Sequence, residues 1–140
     1  MTDLPKLRDE HFRLMITVRR LGVLIERREP PPSLHLSSLR HELSSTLIAH
    51  LEEEDSSLYP VLMASGDAQI QATARAFSDE MGGLADKYRD HVERWDAEAI
   101  AADWAGFCSD CRRILGALTL RIARENRDLY PLIGSLARAA

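Results

Sequence analysis

The chain has 140 residues, of which 45% are hydrophobic and 29% charged, and its formal net charge is −4. This composition is typical of a soluble globular domain and excludes collagen-like, low-complexity and mainly disordered chains. Lys and Arg never form a run longer than two residues. We therefore expect no binding to nucleic acid, which usually requires a basic surface.

The cellular location is predicted from features that the sequence lacks. Residues 1–10 carry five charged side chains and no apolar core of a signal peptide. No stretch approaches the ~18 consecutive apolar residues of a membrane span. The two cysteines, Cys108 and Cys111, are too few and too close for a disulfide scaffold. We expect a cytoplasmic protein without membrane contact.

Four helices are predicted in chain order from apolar residues that recur at every third or fourth position. Their apolar stripes span residues 7–25, 36–61, 70–95 and 104–132. Prolines 30–32 end the first helix, because proline cannot continue a helix. Gly66 and Asp67 separate the second from the third, and a polar break at residues 96–103 precedes the fourth. Gly82–Gly83 inside the third helix predicts a close helix approach or a kink.

These stripes and short connections predict the fold class. The apolar residues occupy the a and d positions of heptads, as in an all-α, up-down-up-down antiparallel four-helix bundle. We expect one domain over residues 1–140, built of two helical hairpins at about residues 4–64 and 67–137.

The two hairpins share a motif, with an offset of about 70 residues. Asp9-Glu10-His11 recurs as Asp79-Glu80-Met81. The segment from His50 through Glu54 to Tyr59-Pro60 recurs as Arg121 through Glu125 to Tyr130-Pro131.

Polar members of this motif interrupt the apolar stripes. Counting outward from the loops places six positions at one height in the bundle: His11, His50, Glu54, Met81, Arg121 and Glu125. Buried ionisable groups must be paired or bound to a metal. A His-x-x-x-Glu motif places both side chains on one helix face, which suits a transition metal.

With these motifs the chain resembles the hemerythrin-like family, the HHE cation-binding domains, over nearly its whole length. The matching residues are His11, His50, Glu54, Tyr59, Pro60, Glu125, Tyr130 and Pro131. The resemblance implies a four-helix bundle with a non-haem di-iron site that binds, stores or senses oxygen. We interpret Tyr59 and Tyr130 as packing residues at the helix ends.

Two residues depart from the family motif and predict a degenerate metal site. Met81 and Arg121 stand where the family has histidine. A thioether is a poor iron ligand beside carboxylates, and a guanidinium stays protonated and cannot ligate. Two alternatives follow. Either no metal binds and Arg121 pairs with one or both carboxylates, or one divalent ion, zinc or iron, is held by His11, His50, Glu54 and Glu125.

A second metal site is a weaker hypothesis. His91 is predicted near the level of three further side chains that match a zinc site in composition, namely His41, Cys108 and Cys111. The alternative interpretation is a core histidine beside two small buried thiols.

No hydrolase, P-loop or dinucleotide-binding motif is present in the sequence. We therefore expect a non-enzymatic protein with an incomplete di-iron site, which acts as a regulatory, sensory or protein-interaction bundle rather than an oxygen carrier. The alternative is a functional metal-binding protein with one ion or a non-haem iron centre that binds oxygen. The sequence identifies neither the expected protein partner nor whether the chain is a monomer or a homodimer.

Overall fold

The computed structural model describes residues 3–139, with side chains as far as residue 136. All of the regular secondary structure in this range is helical. The helical segments are α1 (Leu4–Leu24), α2 (Ser33–Glu53), α3 (Tyr59–Met63), α4 (Ala68–Met81), α5 (Leu84–Arg94), α6 (Ala97–Ala102), α7 (Trp104–Arg124) and α8 (Tyr130–Ala139). Residues 3–139 contain no strand, so the all-α prediction is confirmed.

These segments form the predicted four-helix bundle. The α1 helix packs against α2 and α7, and α5 packs against the same two helices, which closes a ring of four. The short α3 and α8 continue the lines of α2 and α7 after one π-helical turn each, and α4 precedes α5. The polar break expected between the third and fourth helices contains a further short helix, α6.

Aspartate side chains begin several of these helices. Asp3 accepts a hydrogen bond from the amide of Lys6, Asp67 from those of Gln69 and Ile70, and Asp103 from that of Gly106. Such caps satisfy amides that have no partner inside the helix. In contrast, α2 begins after Pro32 without a side-chain cap.

Two apolar clusters fill the bundle and leave a polar layer between them. The larger cluster includes Leu14 of α1 and Leu118 of α7, and the smaller one includes Leu7 of α1 and Leu129 of the last π-helical turn. His11 lies between Leu7 and Leu14 on α1 and is itself buried. The polar positions of the motif are therefore enclosed by apolar side chains above and below.

The third predicted helix is divided into α4 and α5 at Gly82–Gly83. Gly83 has φ +80°, in the left-handed region that residues with a Cβ rarely adopt. The glycines therefore produce the predicted interruption, and the backbone carbonyl of Met81 is left at a helix end.

A π-helical turn follows the His-x-x-x-Glu segment and its repeat. These turns span Glu54–Leu58 and Glu125–Leu129, so each begins at a buried glutamate. Single π-helical turns are rare and concentrate at functional sites. Within the described part of the chain, no helix is long and apolar enough to cross a membrane.

The glycine break is testable by a matched pair of variants. Gly83→Ala should lower the free energy of unfolding by about 1 kcal/mol, because alanine is strained at positive φ. Gly116→Ala should raise it by about 0.5–1 kcal/mol, because Gly116 is helical and its added Cβ would meet nothing within 4 Å. Urea denaturation measures both values. Equal effects of the two substitutions would show that the left-handed conformation is not required.

Candidate metal centre

The polar layer is built from three of the bundle's long segments. His11 comes from α1, His50 and Glu54 from the end of α2, and Arg121 and Glu125 from the end of α7. None of these five side chains is more than 2% exposed. The sixth predicted position, Met81, is half-buried, and its side chain packs against the smaller apolar cluster.

The histidines and glutamates converge as the sequence predicts. One ligand atom from each of His11, His50, Glu54 and Glu125 lies within 4.8 Å of those of the other three. His11 Nε2 is 3.1 Å from Glu125 Oε1, and His50 Nε2 is 3.3 Å from Glu54 Oε1. Nitrogen and carboxylate ligands lie ~2.0–2.2 Å from an ion such as zinc, so ligand atoms of one ion are at most about 4.4 Å apart, and this group would enclose an ion after a small contraction.

The outer nitrogen of each imidazole is held by a side chain that the sequence analysis missed. His50 Nδ1 lies 2.9 Å from Glu10 Oε1, and His11 Nδ1 lies 2.8 Å from Asn126 Oδ1. Such partners orient metal-binding imidazoles so that Nε2 faces the ion. Glu10 could have been identified from the sequence, because it precedes His11 and recurs in the second hairpin as Glu80. Nothing in the sequence indicated Asn126.

The two tyrosines are more than packing residues, which corrects the sequence interpretation. The Tyr59 hydroxyl donates to Glu125 Oε2 at 2.8 Å, and the Tyr130 hydroxyl donates to Glu54 Oε2 at 2.6 Å. Each tyrosine thus bonds the glutamate of the other hairpin. Burial and the nearby carboxylates raise the pKa of both phenols, which keeps them protonated as donors.

Arg121 pairs with both of these carboxylates rather than with one of them. Its Nε donates to Glu125 Oε2 and its Nη2 to Glu54 Oε1, both at 3.2 Å. Nη2 also lies 3.1 Å from Asp55 Oδ1, and Nη1 donates to the Met81 carbonyl at 3.2 Å. That carbonyl is available because α4 ends at the glycine pair.

The charges of this layer act on one another. Burial alone would raise the pKa of Glu54, but the close contact and charge of His50 and the charge of Arg121 outweigh it and lower that pKa to about 2. Burial and the charge of Glu54 raise the pKa of Glu125. For His50, burial lowers the pKa, but Glu54 and Glu10 outweigh burial and raise it.

One buried nitrogen of the layer is not hydrogen-bonded. His50 Nε2 lies 3.3 Å from Glu54 Oε1, an ion-pair contact that does not have the geometry of a hydrogen bond, and it has no hydrogen-bond partner among the residues that the structure describes. Buried polar atoms are nearly always satisfied, and leaving one unpaired costs about 1–3 kcal/mol. With Nδ1 held by Glu10, this nitrogen is placed to act as a metal ligand. The residues present therefore fit one ion.

The second predicted zinc set is not assembled, and this hypothesis is corrected. His41 is exposed, and His91 Nδ1 lies 2.7 Å from Asp110 Oδ2, which also accepts from Trp95 Nε1 at 2.9 Å. Cys108 and Cys111 are free and buried. Among the side chains that the structure describes, no metal-sized group forms there, because His91 is committed to Asp110.

Comparison with known proteins identifies one family over most of the chain. The profile of the hemerythrin HHE cation binding domain matches residues 2–133. The ESAT-6-like protein EsxA of Thermomonospora curvata is 35% identical over 74 residues, which are 49% of this chain and 75% of that protein. The match to EsxA leaves out half of the chain, so the family assignment rests on the match to the hemerythrin HHE profile. No solved structure matches the chain significantly.

The ion pairs of Arg121 generate a prediction on stability. In protein treated with chelator, Arg121→Met should lower the free energy of unfolding by about 3–5 kcal/mol, because two buried carboxylates lose their cation. Arg20→Met is the matched control, since Arg20 is exposed, and it should change stability by less than about 0.5 kcal/mol. Similar effects of the two substitutions in urea denaturation would contradict the role of Arg121.

The pairing of Asp110 generates a pH-dependent prediction. Burial opposes ionisation of this carboxyl, but donors from His91, Trp95 and Arg113 outweigh it and lower its pKa to about 2. An unfolded aspartate has a pKa of about 3.9, so the stabilisation is complete above that pH and is lost as pH falls towards the folded value. Asp110→Asn should therefore cost about 1 kcal/mol near neutral pH, and the cost should disappear as pH approaches the folded pKa.

Urea denaturation of both proteins across that pH range measures the difference. Asp90→Asn, an exposed position on the neighbouring helix, is the control and should change stability little at neutral pH. A cost of Asp110→Asn that stays constant down to the folded pKa would show that the carboxylate charge is not what stabilises the pair.

Proposed function

Because this chain belongs to the hemerythrin HHE cation-binding domain family, we propose that it is a hemerythrin-like protein that holds one divalent ion, zinc or iron. The ligands proposed are His11, His50, Glu54 and Glu125. The observation that carries the proposal is the convergence of four buried ligand atoms within 4.8 Å of one another, among them His50 Nε2, which contacts Glu54 but makes no hydrogen bond within the described residues. An ion gives this nitrogen a partner.

The family motif supports one ion rather than two. Its second pair of histidine positions holds Met81 and Arg121, neither of which suits iron beside carboxylates. In the repeat, Arg121 is the counterpart of His50, and it donates to both Glu54 and Glu125. We propose that the guanidinium supplies the positive charge that a second ion would bring to Glu54 and Glu125.

The chain's own residues prepare the site. Glu10 and Asn126 fix the imidazole rings, and the hydroxyls of Tyr59 and Tyr130 hold one oxygen of each carboxylate. The apolar clusters on both sides exclude water and strengthen every charge interaction in the layer. A bound ion would supply a Lewis acid, or a one-electron centre if it is iron.

This arrangement favours a regulatory or sensory role over oxygen carriage. Side chains from three of the four long segments form the layer. The remaining segment, which contains α4, contributes the carbonyl of Met81. A change at the ion would therefore affect all four segments. We propose that occupancy is communicated to a protein partner. No hydrolytic or nucleotide-binding motif supports a catalytic role.

A metal-free interaction bundle is the second candidate function. It is supported by the carboxylates themselves, since Arg121 and the two tyrosines already give Glu54 and Glu125 donors without any ion. In this case Arg121 replaces the metal centre entirely.

Metal analysis distinguishes the two candidates. Protein stripped with chelator is titrated with Zn²⁺ in air and with Fe²⁺ under anaerobic conditions, dialysed, and analysed by mass spectrometry. We expect one ion per chain for at least one metal. The His50→Gln variant should lose this ion, whereas His41→Gln, at an exposed histidine, should retain it. Binding of neither metal would support the metal-free bundle, and two ions per chain would contradict the proposed role of Arg121.

Restoring the second half of the motif should restore a second ion. The double substitution Met81→His and Arg121→His places histidines at both departing positions, so the stoichiometry should rise from one iron to two. Met81→His alone is the control, because it leaves the guanidinium between the carboxylates. A folded double variant that binds no more iron than the parent would show that these positions do not form the second half of a metal site.

A further inference from the structure

A cavity of about 290 Å³ lies towards the end of the bundle opposite the polar layer. It is formed by the proline connection after α1, the beginning of α2, and α6. Arg40 lies ten residues before His50 on α2, about 15 Å along the helix axis, so the cavity is separate from the candidate metal centre.

The cavity wall is mainly apolar and carries a single kind of charge. Its apolar residues are Pro30, Pro31, Leu36, Ala97, Ile100 and Ala101. Ser33, Ser37 and Arg40 complete the lining. No acidic side chain belongs to the wall.

Arg40 has no counterion in the described part of the chain. Its side chain makes no hydrogen bond or ion pair there, and its Nη2 is buried without a partner. The guanidinium lies over the Phe107 ring, 5.4 Å from its centre. By contrast, Arg113 and Arg121 both pair with carboxylates.

The cost of this arrangement points to an absent anion. Burial lowers the pKa of Arg40, because water is removed and no carboxylate replaces it. Arginine remains protonated in proteins, so the charge persists. A partly buried cation without a counterion is unfavourable, and a carboxylate is the partner that a planar guanidinium binds best.

We propose that this cavity binds a small organic carboxylate with an apolar body. The carboxylate would pair with Arg40 and accept from the nearby serine hydroxyls, and the apolar body would contact the prolines, Leu36 and Ile100. The volume corresponds to about ten water-sized groups, which matches a straight-chain acid of about six carbons. Inorganic anions would leave the apolar wall without contact.

The structure supplies an optical readout for this binding. The chain has two tryptophans, and the rings of Trp95 and Trp104 both pack on Phe107, at 5.8 and 5.6 Å between ring centres. Because Arg40 lies on the same Phe107 ring, pairing of the guanidinium with a ligand should change the tryptophan fluorescence.

The test is titration of the chelator-treated full chain with sodium hexanoate, followed by tryptophan fluorescence and calorimetry. We expect saturable binding with a Kd of about 1 mM. Hexanamide, which has the same body without the charge, and inorganic phosphate, which has charge without the body, should each bind at least about tenfold more weakly. Equal affinity for hexanoate and either probe, or no saturation by about 10 mM hexanoate, would overturn the proposal.

Variants assign the binding to this cavity. Arg40→Met should weaken hexanoate binding at least about tenfold, whereas Arg20→Met, at an exposed arginine, should leave it unchanged. His50→Gln should also bind hexanoate as the parent does, which excludes a carboxylate bound at the candidate metal centre. Unchanged binding by a folded Arg40→Met protein would overturn the proposal. If that variant does not fold, the comparison of hexanoate with hexanamide on the parent decides the question.

Discussion

The guanidinium of Arg121, held between Glu54 and Glu125 in a buried layer, is the interaction on which the rest of this structure depends. Two ionised glutamates in an apolar bundle would repel each other, and each would carry a desolvation cost of several kcal/mol. The planar fork donates to both carboxylates and to the end of α4 at once. It therefore joins the two hairpins at the centre of the layer, beside the bonds that Tyr59 and Tyr130 make across them.

The backbone is shaped to make this possible. A π-helical turn begins at each buried glutamate, and the glycine pair after α4 exposes the carbonyl that Arg121 reaches. Both departures from regular helix lie within the polar layer, whereas α1 runs through it without interruption. Irregular backbone is thus placed where its free groups and the buried charges can form hydrogen bonds with each other.

The sequence predicted the parts of this architecture that follow from helical periodicity. The four apolar stripes and the common height of the polar positions follow from counting residues along helices joined by short loops. The glycine pair predicted a close approach or a kink, and the structure has a break between α4 and α5 there. The π-helical turns were not predictable, because they depend on tertiary contacts around Glu54 and Glu125. The hydrogen bonds of Tyr59 and Tyr130 were missed because a periodic pattern places a ring and not its hydroxyl. The zinc hypothesis for His41 and His91 failed because residues at the same height in a bundle need not point towards one another.

The crossed tyrosine bonds have a consequence for the independence of the two hairpins. Tyr59 serves the glutamate of the second hairpin, and Tyr130 serves that of the first, so neither hairpin contains a complete half of the centre. The tyrosine bond of each buried glutamate therefore forms only when the two hairpins face each other. Equivalent positions of the repeat can still carry different chemistry, since His50 and Arg121 occupy matching places and both contact Glu54.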